Sequence, residues 1–224
     1  MRIKLTIMAH KAIIVGASGL IGSNLLNILL QQAEYDEVLI LLRKELPVRH
    51  EKLKQLIVDF DKLDNYADAI TGHAIFSCLG TTNAQTPDKD QYKKIDHDYP
   101  LHLARLAKQN GVEQFHVVTA IGADKTSSTF YLKLKGELEE DLKQVGLPTL
   151  HIYQPSMLVG RTDGSRFGEK ALVTLFKLIN PLMVGGLKKY RSIEGHTVAR
   201  AMFKKSLEGA PGTFTYTSDK IQSI

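Results

Sequence analysis

A chain of 224 residues with 43% hydrophobic and 24% charged residues has the size and composition of one globular domain with a substantial core, which excludes a disordered or fibrous protein. The net charge of +5 comes from basic residues scattered along the chain, so an anionic cofactor accounts for it as well as a nucleic acid does. One cysteine, Cys78, excludes intrachain disulfides and suits a cytoplasmic, reducing compartment; no stretch approaches the roughly 20 apolar residues that span a bilayer, and residues 1–10 have too short an apolar run for a signal peptide.

The apolar, β-branched run at 12–15 reads as a buried parallel strand. Gly16, Gly19 and Gly22 follow as GxxGxxG, and residues 23–30 continue at helical spacing. Strand, glycine turn and helix in that order bring backbone N–H groups and the positive helix end to one spot, which makes a phosphate site. Gly16 permits the sharp turn, Gly19 lets backbone approach a pyrophosphate, and Gly22 lets the helix pack on its strand. A second strand at 37–42 ends in Arg43-Lys44, and a third at 53–58 ends at Asp59. A short helix at 63–70, capped by Asp61 or Asp64, precedes a fourth strand at 74–79 that holds Cys78 as a buried residue. A long helix then runs to about Asn110, with Gly111 as its C-cap and a start or kink near Pro100. The fifth strand, 114–119, leads through a loop at 122–128 to a helix at 129–145, capped by Ser127 or Ser128 and ended by Gly146. A sixth strand at 150–153 precedes Pro155; beyond it come helices at 169–178 and 196–207, a break at Asn180-Pro181, and a last strand at 213–217. This alternation predicts an α/β fold, a Rossmann-type doubly wound parallel sheet with helices on both faces. It forms one domain, 1–224, in which residues from about 155 make a small substrate-side extension.

Ligands of such sheets lie at the carboxyl ends of the strands. After the second strand a carboxylate would hold the ribose hydroxyls of NAD, but this chain has Arg43 and Lys44, which suit the 2′-phosphate of NADP(H) unless they form only a solvated strand end. Tyr131 and Lys135 are four residues apart on the helix after the fifth strand, hence on one face. An ammonium there would lower the phenol's pKa from about 10 and let it exchange a proton with a substrate oxygen. Thr119 could hold that oxygen through its hydroxyl. The same YxxxK spacing at Tyr216 and Lys220 falls on strand and tail, where the two side chains share no helix face.

The first-strand glycines, the basic end of the second strand, and Thr119, Tyr131 and Lys135 occur in the order that resembles the short-chain dehydrogenase/reductase superfamily. Within its atypical NAD(P)H-binding members the chain looks closest to the Tat-interacting oxidoreductase-like branch. The most specific stretches are GASGLIG at 16–22, VDFDKLDNYADAITGH at 58–73, CLGTT at 78–82 and GADKTSSTFYLKLKGE at 122–137. The resemblance implies a cofactor bed from Ser18, Gly19, Leu20 and Ile21, with Arg43 and Lys44 at the adenosine phosphate. It implies further contacts from Leu79, Gly80, Leu158 and Arg161, with Tyr131 as proton donor or acceptor and Lys135 anchoring the nicotinamide ribose. It also implies a possible homodimer. The chain departs from the superfamily pattern in carrying Thr119 or Ala120 where relatives have serine, Asp96 near a usual asparagine, and Gln154 where arginine is common.

The leading expectation is an NADP(H)-dependent oxidoreductase acting on a small carbonyl or alcohol. A nucleotide-sensing module with little turnover is the runner-up, and nucleic-acid binding, resting on charge alone, stands well below both. Asp96-His97-Asp98 and His102 lack metal-ligand spacing, so no metal is expected; His116 and His151 read as interior or edge strand residues. The run at 172–183 fits core, lid or dimer contact alike.

Overall fold

The computed structural model describes residues 10–160 and 183–224. The helix expected at 169–178, the break at Asn180-Pro181 and Arg161 lie outside the described residues.

Strand β1, His10–Val15, is followed by helix α1, Leu20–Gln31, and β2, Tyr35–Leu42. Then come β3, Leu53–Ile57, a 3-10 segment Phe60–Ala69, and β4, Ala74–Ser77. Helix α2, Lys89–Lys93, passes through one π turn, Lys94–Asp98, into α3, Tyr99–Gln109, and β5 is Gln114–Val118. After α4, Phe130–Val145, and β6, Thr149–Gln154, two short strands, β7 at Leu158–Val159 and β8 at Ile193–Glu194, pair with each other. Helix α5, Gly195–Ser206, strand β9, Gly212–Thr217, and helix α6, Ser218–Ser223, follow.

Seven strands form one parallel sheet in the order β3-β2-β1-β4-β5-β6-β9. This is the Rossmann-like arrangement expected from the alternation of elements. Strands buried on both faces read as near-continuous apolar runs. In β1 this is visible directly: Ala12 and Ile14 pack toward α1 and α5, among Leu25, Leu29, Val198 and Met202, while Ile13 and Val15 pack toward α3 and α4, among Ala104, Leu138 and Leu142. The chain winds outward from β1 to β3, then restarts on the other side at β4. The reversal opens a crevice above the carboxyl ends of β1 and β4.

Local departures from the expected elements have physical reasons. The helix expected at 63–70 is a 3-10 segment starting at Phe60, because Phe60 and Leu63 are buried and draw the first turn forward. Asp59 caps it by accepting from the Asp61 amide, while Asp61 and Asp64 turn to Lys94, Tyr99 and His102. The helix expected up to Asn110 is interrupted by the π turn just before Pro100, whose ring cannot supply an amide to the preceding turn. Helix α4 begins after Thr129; Ser127 accepts from the Thr129 amide instead of capping the helix, and Gly146 ends it at φ +71°.

Candidate active site

The glycine turn does three separate things, each visible in backbone geometry. Gly16 has φ +85°, where L side chains are strained, and a Cβ there would lie 2.6 Å from the Cys78 carbonyl oxygen at the end of β4. At Gly22 a Cβ would lie 2.2 Å from the Gly16 carbonyl oxygen, so only glycine lets α1 close on β1. Gly19 is the N-cap of α1 and meets only that same oxygen, at 3.3 Å, leaving its outer side open. No side chain caps the first amides of α1 and its first turn carries no acidic residue. Free amides at an open helix start are what a pyrophosphate needs. The cradle therefore fits a dinucleotide.

A cleft of about 370 Å³ lies over this turn. Gly16, Ser18, Gly19, Arg43, Leu79, Gly80 and Thr81 line it, together with Phe60, Ile95 and Tyr99, which the sequence did not single out. Several expected contacts lie elsewhere. Ile21 points its side chain into the core below, and Leu20 packs against Gly195, so the bed beyond Gly19 is backbone. Asp59 serves as a helix cap, leaving its neighbour Phe60 on the cleft wall. Lys44 is exposed beyond the cleft lining, and Leu158 lies half-exposed on β7. Cys78 borders the cleft, but burial pushes its thiol up to about 12, against a reactive thiolate.

The residues expected to transfer a proton have surroundings that the sequence does not show. Lys135 is buried and its ammonium pairs with Asp96 Oδ1 at 2.8 Å. Asp96, itself fully buried, uses Oδ2 to accept from the Thr81 amide at 2.8 Å. Tyr131 is 37% exposed, yet desolvation of its hydroxyl and then the Asp96 charge push the phenol up to about 12. The expected lowering is thus reversed, by burial first and by the Asp96 carboxylate second. The Thr119 hydroxyl donates to Glu139 Oε1 at 2.5 Å inside the fold. Gln154 Nε2 donates to both Glu139 oxygens at 3.0 Å, and burial of Glu139 raises its pKa despite these bonds.

His116 is satisfied by the Tyr153 hydroxyl and Gln114 Oε1, whereas His151 pairs only Nδ1, with the Tyr216 hydroxyl. Nε2 of His151 is buried without a partner. His97 is held between Asp98 and Asp141, a pairing that adjacent-residue spacing does not reveal. Among the described residues no group of three or more His, Cys, Asp or Glu side chains is placed to hold a metal, and no helix is long and apolar enough to cross a membrane.

Comparison with known proteins agrees with this geometry. The family described as NAD(P)H-binding matches residues 16–172. Protein HTATIP2 of Rattus norvegicus is 34% identical over 218 residues, which cover 95% of this chain and 88% of the relative. The Aspergillus clavatus protein fmp52, named as mitochondrial, is 28% identical over 221 residues, covering 96% and 94% of the two chains. Among solved structures, the Bordetella bronchiseptica enzyme WbmH in complex with NAD+ superposes with a TM-score of 0.69 at 16% identity, covering 93% of this chain and 75% of that one. At that identity the likeness speaks for the fold.

Proposed function

The chain belongs to the NAD(P)H-binding family, and from that premise we propose that it is an NADP(H)-dependent oxidoreductase acting on a small carbonyl or alcohol. The observation that carries this reading is the open cradle at Gly16 and Gly19 with Arg43 on the same cleft wall. A guanidinium there suits a 2′-phosphate, where an NAD site would favour a carboxylate on the ribose. Leu79 and Gly80 border the other side, Phe60 and Tyr99 supply aromatic surface, and Lys135 stands near the Gly80–Thr81 loop through Asp96.

When bound, a reduced nicotinamide supplies the hydride that adds to a carbonyl carbon. The carbonyl π pair then moves onto oxygen, which takes the phenol proton of Tyr131, and Tyr131 recovers a proton from water. Leu158 and Arg161 are proposed to add cofactor contacts from the loop after the sixth strand, as the family resemblance implies. A cytoplasmic location is proposed from the single cysteine; a tagged chain found in mitochondria, as the name of the fungal relative says of that protein, would overturn it.

A second reading, an NADP(H)-sensing module without turnover, is favoured by the engagement of Lys135 with Asp96 and of Thr119 with Glu139. Fluorescence titration with NADPH and NADH, on wild type and Arg43→Ala, tests the shared premise. NADPH should bind more tightly than NADH, and Arg43→Ala should weaken NADPH roughly 10- to 100-fold while leaving NADH little changed. Equal affinities in both proteins would sink the NADP assignment. Turnover of a carbonyl panel that is lost in Tyr131→Phe supports the enzyme; tight binding with no turnover supports the sensor.

A further inference from the structure

One wall of the cleft is the chain that leaves β4, from Cys78 to Thr81. It starts against the glycine turn, since a Cβ on Gly16 would lie 2.6 Å from the Cys78 carbonyl oxygen. Three residues on, every polar group of Thr81 is engaged. Its amide donates to Asp96 Oδ2 at 2.8 Å, its carbonyl accepts from the Tyr92 hydroxyl at 3.1 Å, and its hydroxyl pairs with that of Thr86 at 2.8 Å. The Gly80–Thr81 peptide is trans, so its carbonyl, on Gly80, points opposite to the N–H that Asp96 holds. Asp96 is fully buried, whereas Gly80 is exposed and lines the cleft. Holding the amide inward therefore turns the Gly80 carbonyl outward, as an acceptor on the cleft side. Glycine has no side chain to fix the plane of this peptide, and a Cβ there would meet only Asp96 Oδ1, at 3.8 Å. The tie to Asp96 sets the direction instead.

We propose that Asp96 is a positioning residue for nucleotide binding: its side chain holds the Thr81 amide and so aims the Gly80 carbonyl at a sugar hydroxyl of the dinucleotide. The inference rests on the dinucleotide reading above and adds the residue that aims one of its contacts. A pyrophosphate seated on the glycine turn carries a ribose on either side, so hydroxyls are the donors nearest to the wall that begins at Cys78. An ionised carboxylate holds a backbone N–H about twice as strongly as a neutral acceptor does. Burying that charge requires a matching cation, which Lys135 of α4 supplies at 2.8 Å from Oδ1. The same ammonium lies 3.5 Å from the Asp96 carbonyl oxygen. The π turn Lys94–Asp98 makes the reach possible, because its inserted residue rotates the helix and turns Asp96 inward. Tyr92 and Asp96, four positions apart on one helical run, thus take Thr81 by its carbonyl and its amide.

The test compares two double variants of the full chain that differ only at position 96. Asp96→Asn/Lys135→Gln removes both buried charges and keeps an acceptor for the Thr81 amide. Asp96→Leu/Lys135→Gln removes both charges and the acceptor. Both lack the Lys135 ammonium, so any contact it makes with the nucleotide is lost equally. In fluorescence titration the leucine variant should bind NADPH and NADH at least about fivefold more weakly than the asparagine variant. A smaller difference overturns the proposal. A difference confined to NADPH overturns it too, because the Gly80 carbonyl serves a part that both nucleotides share. Hydrogen exchange without nucleotide separates aiming from general loosening. The Thr81 amide should exchange at least about fivefold faster in the leucine variant, with the Val117 amide of β5 alike in both. Equal exchange at Thr81, or equal acceleration at Val117, overturns the proposal. Should the leucine variant not fold, Asp96→Ser/Lys135→Gln, whose hydroxyl is too short to reach the amide, takes its place with the same expectations. Wild type that binds neither nucleotide fails the reading above and this proposal with it. Wild type that binds, with no difference between the variants, fails this proposal alone.

Discussion

His116 of β5 and His151 of β6 stack with ring centroids 4.4 Å apart, inside a run of aromatic side chains that continues to Phe214 and Tyr216 of β9. Both histidines are buried, and desolvation, first among the causes, lowers the pKa of His116 well below its ordinary value and that of His151 to about 4. Each therefore resists in the folded chain a proton that it accepts in the unfolded chain near pH 6.5. The stability they permit is present above that pH and is lost as pH falls from 6.5 toward 4. For His151 the loss is on the order of 2–3 kcal/mol. Urea unfolding at pH 7.5 and at pH 5 measures it. His151→Phe keeps the stack and gives up the Tyr216 bond, so it should be slightly weaker at pH 7.5 yet lose less on acidification. Equal acid sensitivity in the two proteins would place the effect elsewhere.

Thr119→Val separates a structural hydroxyl from a catalytic one. Valine keeps the shape of the side chain and removes the proton that Glu139 accepts, while Gln154 continues to donate to both carboxylate oxygens. Stability should fall by about 1–2 kcal/mol. Nucleotide affinity should stay within a few-fold, since neither residue lines the cleft. A variant of unchanged stability but with turnover reduced a hundredfold would instead restore Thr119 to the substrate.

How much of the fold is legible in the chain depends on which signals are local. Buried parallel strands are mostly apolar, so the runs at 12–15 and 37–42 stand out, and the observed strands extend them by only two residues at the start. The glycine turn is equally open to reading, because each of its three roles depends on glycine having no side chain. The Lys135 environment is not. It depends on an ion pair to a residue 39 positions away, turned inward by a π turn that has no periodic signature. With Asp96 unseen, the YxxxK spacing implies a lowered phenol, and the structure reverses the direction. The cap at Asp59 escapes for a related reason: burial of Phe60 and Leu63 moves the first turn forward, past the point that polar residues alone suggest.

The close approach at Gly22 gives a sharp stability test. Gly22→Ala puts a Cβ 2.2 Å from the Gly16 carbonyl oxygen and 2.8 Å from its carbon, and backbone cannot move aside as a flexible side chain would. Helix α1 must lift from β1, which should cost about 3 kcal/mol or more and weaken dinucleotide binding with it. Gly209→Ala is the matched control: nothing lies within 4 Å of its added Cβ, so thermal melting should be within about 0.5 kcal/mol of wild type. Comparable losses in both would mean that helix approach is not the constraint.

Gly136 poses the corresponding question for α4, the helix that carries Tyr131 and Lys135. A Cβ there would lie 2.3 Å from the Asp124 carbonyl carbon and from the Lys125 nitrogen, so α4 rests directly on the backbone of the preceding loop. That loop has little freedom to yield: the Asp124 amide donates to the Leu132 carbonyl at 3.1 Å, and the Asp124 carboxylate takes both the amide and the hydroxyl of Thr126 at 2.7 Å. Gly136→Ala must therefore displace α4, and with it Tyr131 and Lys135, which precede Gly136 on the same helix. The glycine cradle belongs to α1 and β1 and does not depend on this contact. The variant should lose about 2–4 kcal/mol in urea unfolding and most of its turnover, while NADPH titration changes only a few-fold. Loss of NADPH affinity in step with turnover would show that the glycine cradle depends on α4, and retention of full turnover would show that α4 can shift without moving Tyr131.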